Sequence, residues 1–170
     1  MATGALERLI AFPGNDRPGV MLASAAAAYV ARFGVAPGRQ AVFFANNDHA
    51  YDDAMRLFDA GVEIVGVVDV RPDSAAGRLA ERAGIPVWFG SQIVATEGAP
   101  LHIVTIAPIA GGGPSRMMLA DLLCVSGGYN PQIQLASQAR LPLQWDEPSA
   151  TFLCAGGVEA SSSSAARQAF

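Results

Sequence analysis

Ala45, Asn47 and Ala50 end and follow the apolar run Gln40–Ala45 (QAVFFA) at the spacing at which G-x-G-x-x-G carries its glycines, and Asp69 lies near the end of a second apolar run, Val62–Val70. On a strand, a tight loop, a helix and a second strand, such residues bind a dinucleotide. The helix N-terminus takes the pyrophosphate, and an acid about 20 residues further on holds the ribose hydroxyls. This makes Ala45, Asn46, Asn47, Asp48, Ala50, Asp69 and Arg71 the candidate NAD-binding residues. None of the three key positions is glycine. Asn47 is the best substitute where the loop needs left-handed backbone; Ala50 is tolerated at the third place, and Ala45 is less comfortable at the first. Asp48 is placed to cap the helix, where its carboxylate would compete with a phosphate for the same amides. Arg71 beside Asp69 would favour a 2′-phosphate, but Asp69 itself argues for NAD over NADP. The competing reading is an ordinary βαβ unit with a capped helix.

Elsewhere the chemistry-bearing residues are sparse. Gly111-Gly112-Gly113-Pro114 has no helical pattern after it and reads as a hairpin turn, not a phosphate cradle. His49 and His102 have no acid or nucleophile at fixed spacing, so no catalytic residue is assigned. Cys124 and Cys154 sit among apolar residues and read as buried thiols; they make no C-x-x-C pair. Asp52, Asp53 and Asp59 read as a solvated helix face, and Trp88 and Trp145 as core or interface aromatics.

The elements that position these residues alternate in type. Breakers dominate the first twenty residues, with a short strand expected at Leu9–Phe12; Met21–Phe33 is helical and stops at Gly34. QAVFFA predicts a strand buried on both faces, Ala50–Ala60 a helix, Val62–Val70 a strand, Asp73 or Ser74 the cap of a third helix, and Ile85–Phe89 a third strand. That order predicts an α/β fold with a parallel, Rossmann-like sheet. After Gly90 the period changes: Gln92–Thr96, Leu101–Ile109 and Arg116–Leu119 predict an antiparallel meander. Asp121–Ser126 is a further apolar strand, Gln132–Ala139 a short helix, and Ser161–Ser164 a frayed tail.

Composition limits the partners. With 170 residues and 51% hydrophobic content the chain can build a real core. All eleven basic residues are arginines, set against fifteen acids for a net charge of −4. This leaves no electrostatic footprint for nucleic acid or an anionic membrane. No apolar run is long enough for a membrane span and no signal-peptide n-region is present, so a cytoplasmic protein is expected.

Several motifs in order resemble a known family. Ala2-Thr3-Gly4-Ala5, Glu7-Arg8, the stretch from Pro13 to Met21 (PGNDRPGVM), Asn46–Tyr51 (NNDHAY), Val67–Arg71 (VVDVR), Asp121–Pro131 and Gln144-Trp145-Asp146 resemble the middle of the heterotetrameric sarcosine oxidase alpha subunit. Related opine oxidase and cyanide synthase flavoprotein subunits share the arrangement. The resemblance implies a flavoprotein with two dinucleotide-binding domains, an NAD domain inserted into an FAD domain. Residues 39–116 would be the NAD insert, 1–38 and 117–158 the remnants of the FAD domain, and 159–170 a frayed tail. Thr3, Gly4, Ala5, Gly127 and Gly128 would lie on the FAD side, at small-residue turns that allow close approach. The family's own G-x-G-x-x-G is expected upstream of Met1 and its folate-binding region downstream, so the chain reads as the middle of a larger subunit. The resemblance also implies NAD as cofactor, FAD in the complete subunit, and partner subunits, one of which carries the flavin that oxidises the amine. The alternative is a non-catalytic interaction module that pairs with a flavin-bearing chain or with itself. A receiver-like signalling domain is the poorest reading, since no acidic pocket and lysine accompany the strand ends.

Overall fold

A computed structural model of the chain describes residues 4–147 and 149–154. In chain order the elements begin with β1 (Ala5–Glu7), β2 (Val20–Leu22), α1 (Ala23–Phe33), β3 (Gln40–Ala45), α2 (His49–Asp59) and β4 (Glu63–Asp69). Next come α3 (Ala75–Arg82), β5 (Val87–Phe89), β6 (Ser91–Glu97), β7 (Ile103–Pro108), β8 (Arg116–Leu119) and β9 (Leu122–Ser126). The last are β10 (Tyr129–Pro131), α4 (Gln134–Gln138), β11 (Leu143–Asp146) and β12 (Thr151–Cys154). They form two compact units: Leu9–Gly127, and a smaller one of the described residues before Leu9 and after Gly127.

The larger unit is built on a parallel sheet of order β2-β9-β3-β4-β5. Both faces are covered, which is why β3 and β9 read as unbroken apolar runs. Ala41 and Phe43 point to one face, where they pack with Ala23, Ala26 and Ala27 of α1, Leu57 of α2 and Ala80 of α3. The alternate residues Val42 and Phe44 point to the other, against Ile93, Val104, Ile106 and Met118 of the meander β6-β7-β8. Each such fully buried large side chain contributes roughly 1.5–3 kcal/mol. The meander is antiparallel, as its sequence predicts, and Gly111–Gly113 lies in the connection between β7 and β8.

Some local expectations change. Residues 9–12 form no strand; Phe12 instead turns its ring edge-on to Phe44 at 5.8 Å. The edge strand is β2, taken from the start of the expected helix, because Val20 pairs with Leu123 in β9. Gly19 makes this possible: with φ +104°, it passes so close to Leu101 that a Cβ would lie 2.7 Å from that side chain. β2 and α1, read as part of the 1–38 stub, lie within the larger unit. Asp53 is buried on α2 and paired with Arg56 at 2.9 Å, so only Asp52 and Asp59 belong to a solvated face. Cys124 is buried as expected, whereas Cys154 is exposed.

In the smaller unit β1 pairs antiparallel with β10, and β11 with β12. Trp145 and Phe152 face each other across that second pair at 5.1 Å, edge to face. The expected frayed tail lies outside the described residues.

Candidate functional site

The site is assembled at the carboxyl end of the parallel sheet. Register brings three strand ends together, since Ala45 of β3 lies opposite both Asp69 of β4 and Ser126 of β9. The central strand β3 is also where the strand order reverses: the chain proceeds outward to β4 and β5 on one side and returns to β9 on the other. In open α/β sheets this reversal opens the crevice in which ligands bind.

The loop from Asn46 to Asp48 connects β3 to α2. The Asn46 backbone N–H donates to Ser126 O at 3.3 Å, and Asn47 Nδ2 donates to Ser126 O at 3.1 Å and Ser126 Oγ at 3.0 Å. Asn47 thus braces the loop with its side chain. Its backbone is not left-handed, because the only non-glycine residues with positive φ among those described are Arg140 and Ala150. Asn47 Oδ1 is buried with no partner among the described residues.

Asp48 immediately precedes α2, and its side chain makes no capping bond to the helix. Its carboxylate is 60% exposed and pairs with Arg71 Nη1 at 2.8 Å. Asp69 is wholly buried and its two oxygens are fully engaged. Oδ1 accepts from the Arg71 backbone N–H at 2.9 Å and from Arg71 Nε at 3.1 Å. Oδ2 accepts from Arg71 Nη2 at 2.8 Å and from the Tyr51 hydroxyl at 2.8 Å. Burial, reinforced by the hydrogen bond to Asp69, pushes the Tyr51 hydroxyl well above the usual tyrosine range, so it remains a donor. Burial alone would lower Arg71, but its hydrogen bonds to Asp69 and Asp48 outweigh that and raise it further.

Tyr51 is the residue whose role spacing alone does not reveal. It stands on the first turn of α2 and reaches Asp69 over Gly77 of α3, where a Cβ would sit 2.8 Å from its hydroxyl. Ser126, the other partner that spacing does not reveal, is legible only as the polar end of an apolar strand. Ala45 and Ala50 are buried at the loop's two ends.

The residues expected on the FAD side are divided. Gly4, Ala5 and Gly128 belong to the smaller unit, Gly127 ends the larger one, and Thr3 lies outside the described residues. Gly4 O accepts from Gln132 N at 3.0 Å, and Ala5 faces Pro131 across the β1–β10 pair. Gly128 has φ +83°, and a Cβ there would lie 2.9 Å from Arg8 Nη2. That guanidinium donates to the Ser149 and Ala150 carbonyls. Among the described residues, no group of three or more His, Cys, Asp or Glu is placed to hold a metal ion, and no helix is long and apolar enough to cross a membrane.

No protein-family model matches the chain. It is 38% identical over 159 residues to sarcosine oxidase subunit alpha of Rhizobium meliloti (strain 1021), covering 94% of this chain and 16% of that protein. It is 42% identical over 154 residues to the subunit of the same name from Corynebacterium sp. (strain P-1), covering 86% of this chain and again 16% of the relative. Among solved structures, thioredoxin reductase of T. acidophilum matches with a TM-score of 0.65 at 13% identity, over 99% of this chain and 60% of that one. An FAD-dependent pyridine nucleotide-disulphide oxidoreductase from Desulfovibrio vulgaris matches with a TM-score of 0.59 at 20% identity, over 86% of this chain and 38% of that one. The chain thus spans about a sixth of the curated relatives' length. It is a homologue of one segment of the sarcosine oxidase alpha subunit, with the fold of the flavoprotein oxidoreductases that carry two dinucleotide-binding domains.

Proposed function

We propose that this chain is the NAD-binding portion of a flavin-dependent, amine-oxidising alpha subunit of the sarcosine oxidase type, and does not oxidise an amine by itself. The observation that carries this reading is the start of α2, a helix of 11 residues that the Asp48 side chain does not cap, opening off the central strand where the strand order reverses. Such an N-terminus presents backbone amides and a positive dipole end to a phosphate. The backbone of Asn47, Asp48 and Ala50 would hold the pyrophosphate, with Asn46 bracing the loop through its N–H to Ser126 O, and the small side chains of Ala45 and Ala50 leave room for it. Asn47 Oδ1 offers a buried acceptor to a ligand hydroxyl or amide. These features fit the phosphate-bearing part of NAD. Asp69 fits differently from the expectation: buried and saturated, it would reach the adenosine ribose through Arg71 and not directly. When bound, NAD supplies hydride-transfer chemistry; the residues here bind and orient it.

In the complete subunit, residues 39–116 would be the NAD insert, in a sheet completed by β2 and β9 from the flanking residues. Thr3, Gly4, Ala5, Gly127 and Gly128 would face FAD, and the partners would be the other subunits of a cytoplasmic complex. Titration calorimetry with NAD and with ADP-ribose tests the reading. Weak saturable heat from both ligands is expected, and no heat up to millimolar NAD overturns it.

The second reading, an interaction module, draws on exposed apolar side chains of the larger unit: Tyr29 and Phe33 on α1, Met117 and Leu119 on β8. A dimer by light scattering, or a co-purifying flavin-bearing chain, supports it; a monodisperse monomer without a partner counts against it.

A further inference from the structure

The acid at the start of α2 poses a physical problem for any anion bound there. Asp48 stands at the positive end of the helix, where a carboxylate would occupy or repel the place of a phosphate. In the structure its side chain makes no bond to the helix amides and is held by Arg71 Nη1 instead. Arg71 is itself immobilised, since its Nε, Nη2 and backbone N–H all bind the buried Asp69. Asp69 in turn is fixed by the Tyr51 hydroxyl. One arm of a planar guanidinium fork is thus anchored inside the protein, and the other is left to hold a single exposed carboxylate.

We infer that Arg71 is a positioning residue, a tether that draws the Asp48 carboxylate off the N-terminus of α2 and so keeps its amides open to an anionic ligand. The inference rests on the dinucleotide reading for the identity of the ligand, but not for the position of Asp48. It gives Arg71 a task other than the 2′-phosphate contact, and it accounts for an acid at a phosphate-binding position: the acid is tolerated because it is neutralised and held aside.

The test uses the whole chain and the variants Arg71→Lys, Asp48→Ala and the two combined. Lysine keeps a cation beside the buried Asp69, so the fold is preserved, but a single ammonium does not span two carboxylates as the fork does. Calorimetry with NAD is expected to show about a tenfold loss of affinity for Arg71→Lys, from a freed anion at the site. Asp48→Ala is expected to bind at least as tightly as the parent, and the double variant to recover to within about threefold of it. A double variant as weak as Arg71→Lys overturns the inference, because Arg71 then acts on the ligand directly. A crystal structure of Arg71→Lys gives a readout that needs no ligand. The Asp48 carboxylate is expected within hydrogen-bond distance of a first-turn amide of α2, and a carboxylate turned to solvent overturns the tether. If the carboxylate moves as expected while the parent binds no NAD, the tether stands and the dinucleotide reading falls.

Discussion

At the scale of single residues, the site is a short chain of bonds ending in a buried charge. Asp69 carries no exposed surface, and such a carboxylate is tolerable only if every lone pair is met. Tyr51→Phe removes one donor and keeps the ring, so a loss of about 1–3 kcal/mol is expected in a denaturant titration. The pH dependence follows from the raised Tyr51 pKa. In the unfolded chain the hydroxyl ionises near its ordinary value, about 10. In the fold it stays protonated to higher pH. The folded state therefore binds more protons above pH 10, and the stability Tyr51 contributes is complete below that value and lost as pH rises beyond it. Thermal melts from pH 8 to 11 are expected to show this alkaline loss in the parent and a shallower one in Tyr51→Phe. On the proposed NAD reading, cofactor choice belongs to the same scale. Asp48 and Asp69 outnumber Arg71 among the three charges at the strand ends, leaving that group at −1. A 2′-phosphate adds further negative charge to an already negative site, so NADP is expected to bind about tenfold or more weakly than NAD in side-by-side calorimetry.

At the scale of elements, the helices are placed so that α2 can aim its first turn at the strand ends. Gly77 in α3 is a tight point of this arrangement. A Cβ there would lie 2.5 Å from the Phe89 ring and 2.8 Å from the Tyr51 hydroxyl. Gly77→Ala gains helix propensity but must displace one of these groups, and overpacking of this kind costs about 1–3 kcal/mol. A lowered denaturation midpoint with unchanged slope is the expected result, and a rise in midpoint would show that Phe89 yields without strain. Much of this level was legible in the sequence. The runs QAVFFA and DLLCVS announce two-sided burial, and the change of period after Gly90 announces the meander. What spacing misses is decided by distant partners. Val20–Leu22 is a strand only because β9 offers it an edge, and β1, β10, β11 and β12 are three or four residues long, too short for a period. In the same way the positions of Asn47 in the loop and of Asp69 at the end of β4 follow from spacing. The pairing of Arg71 with Asp48 does not, because two acids compete for it and only the register of β3 with β4 brings both within reach.

At the scale of the whole molecule, the chain is homologous to a sixth of a much longer subunit, and the question is which part of it is a folding unit. Both apolar core clusters, from Ala23 to Cys124 on the helical face and from Phe12 to Val125 on the meander face, lie wholly within Leu9–Gly127. So do all the polar partners of the candidate site: Ser126, Asn47, Asp48, Tyr51, Asp69 and Arg71. A segment that holds its own core and its own polar network meets the physical requirement for independent folding. Residues 9–127 expressed alone are therefore expected to melt cooperatively and to bind ADP-ribose within about threefold of the full chain, since the bonds described for the site all lie within them. The division expected from the family pattern, 39–116, makes the opposite forecast when expressed alone. It lacks β2, α1 and β9, and so strips one flank of β3: Val42, Phe43 and Ala45 keep β4 on one side and lose their β9 partners on the other. A cooperative, ligand-binding 39–116 fragment would show that the insert carries its own stability and would reduce β2 and β9 to decoration. Loss of cooperativity in 39–116 together with its retention in 9–127 would place the smallest functional unit at the boundary set by strand pairing.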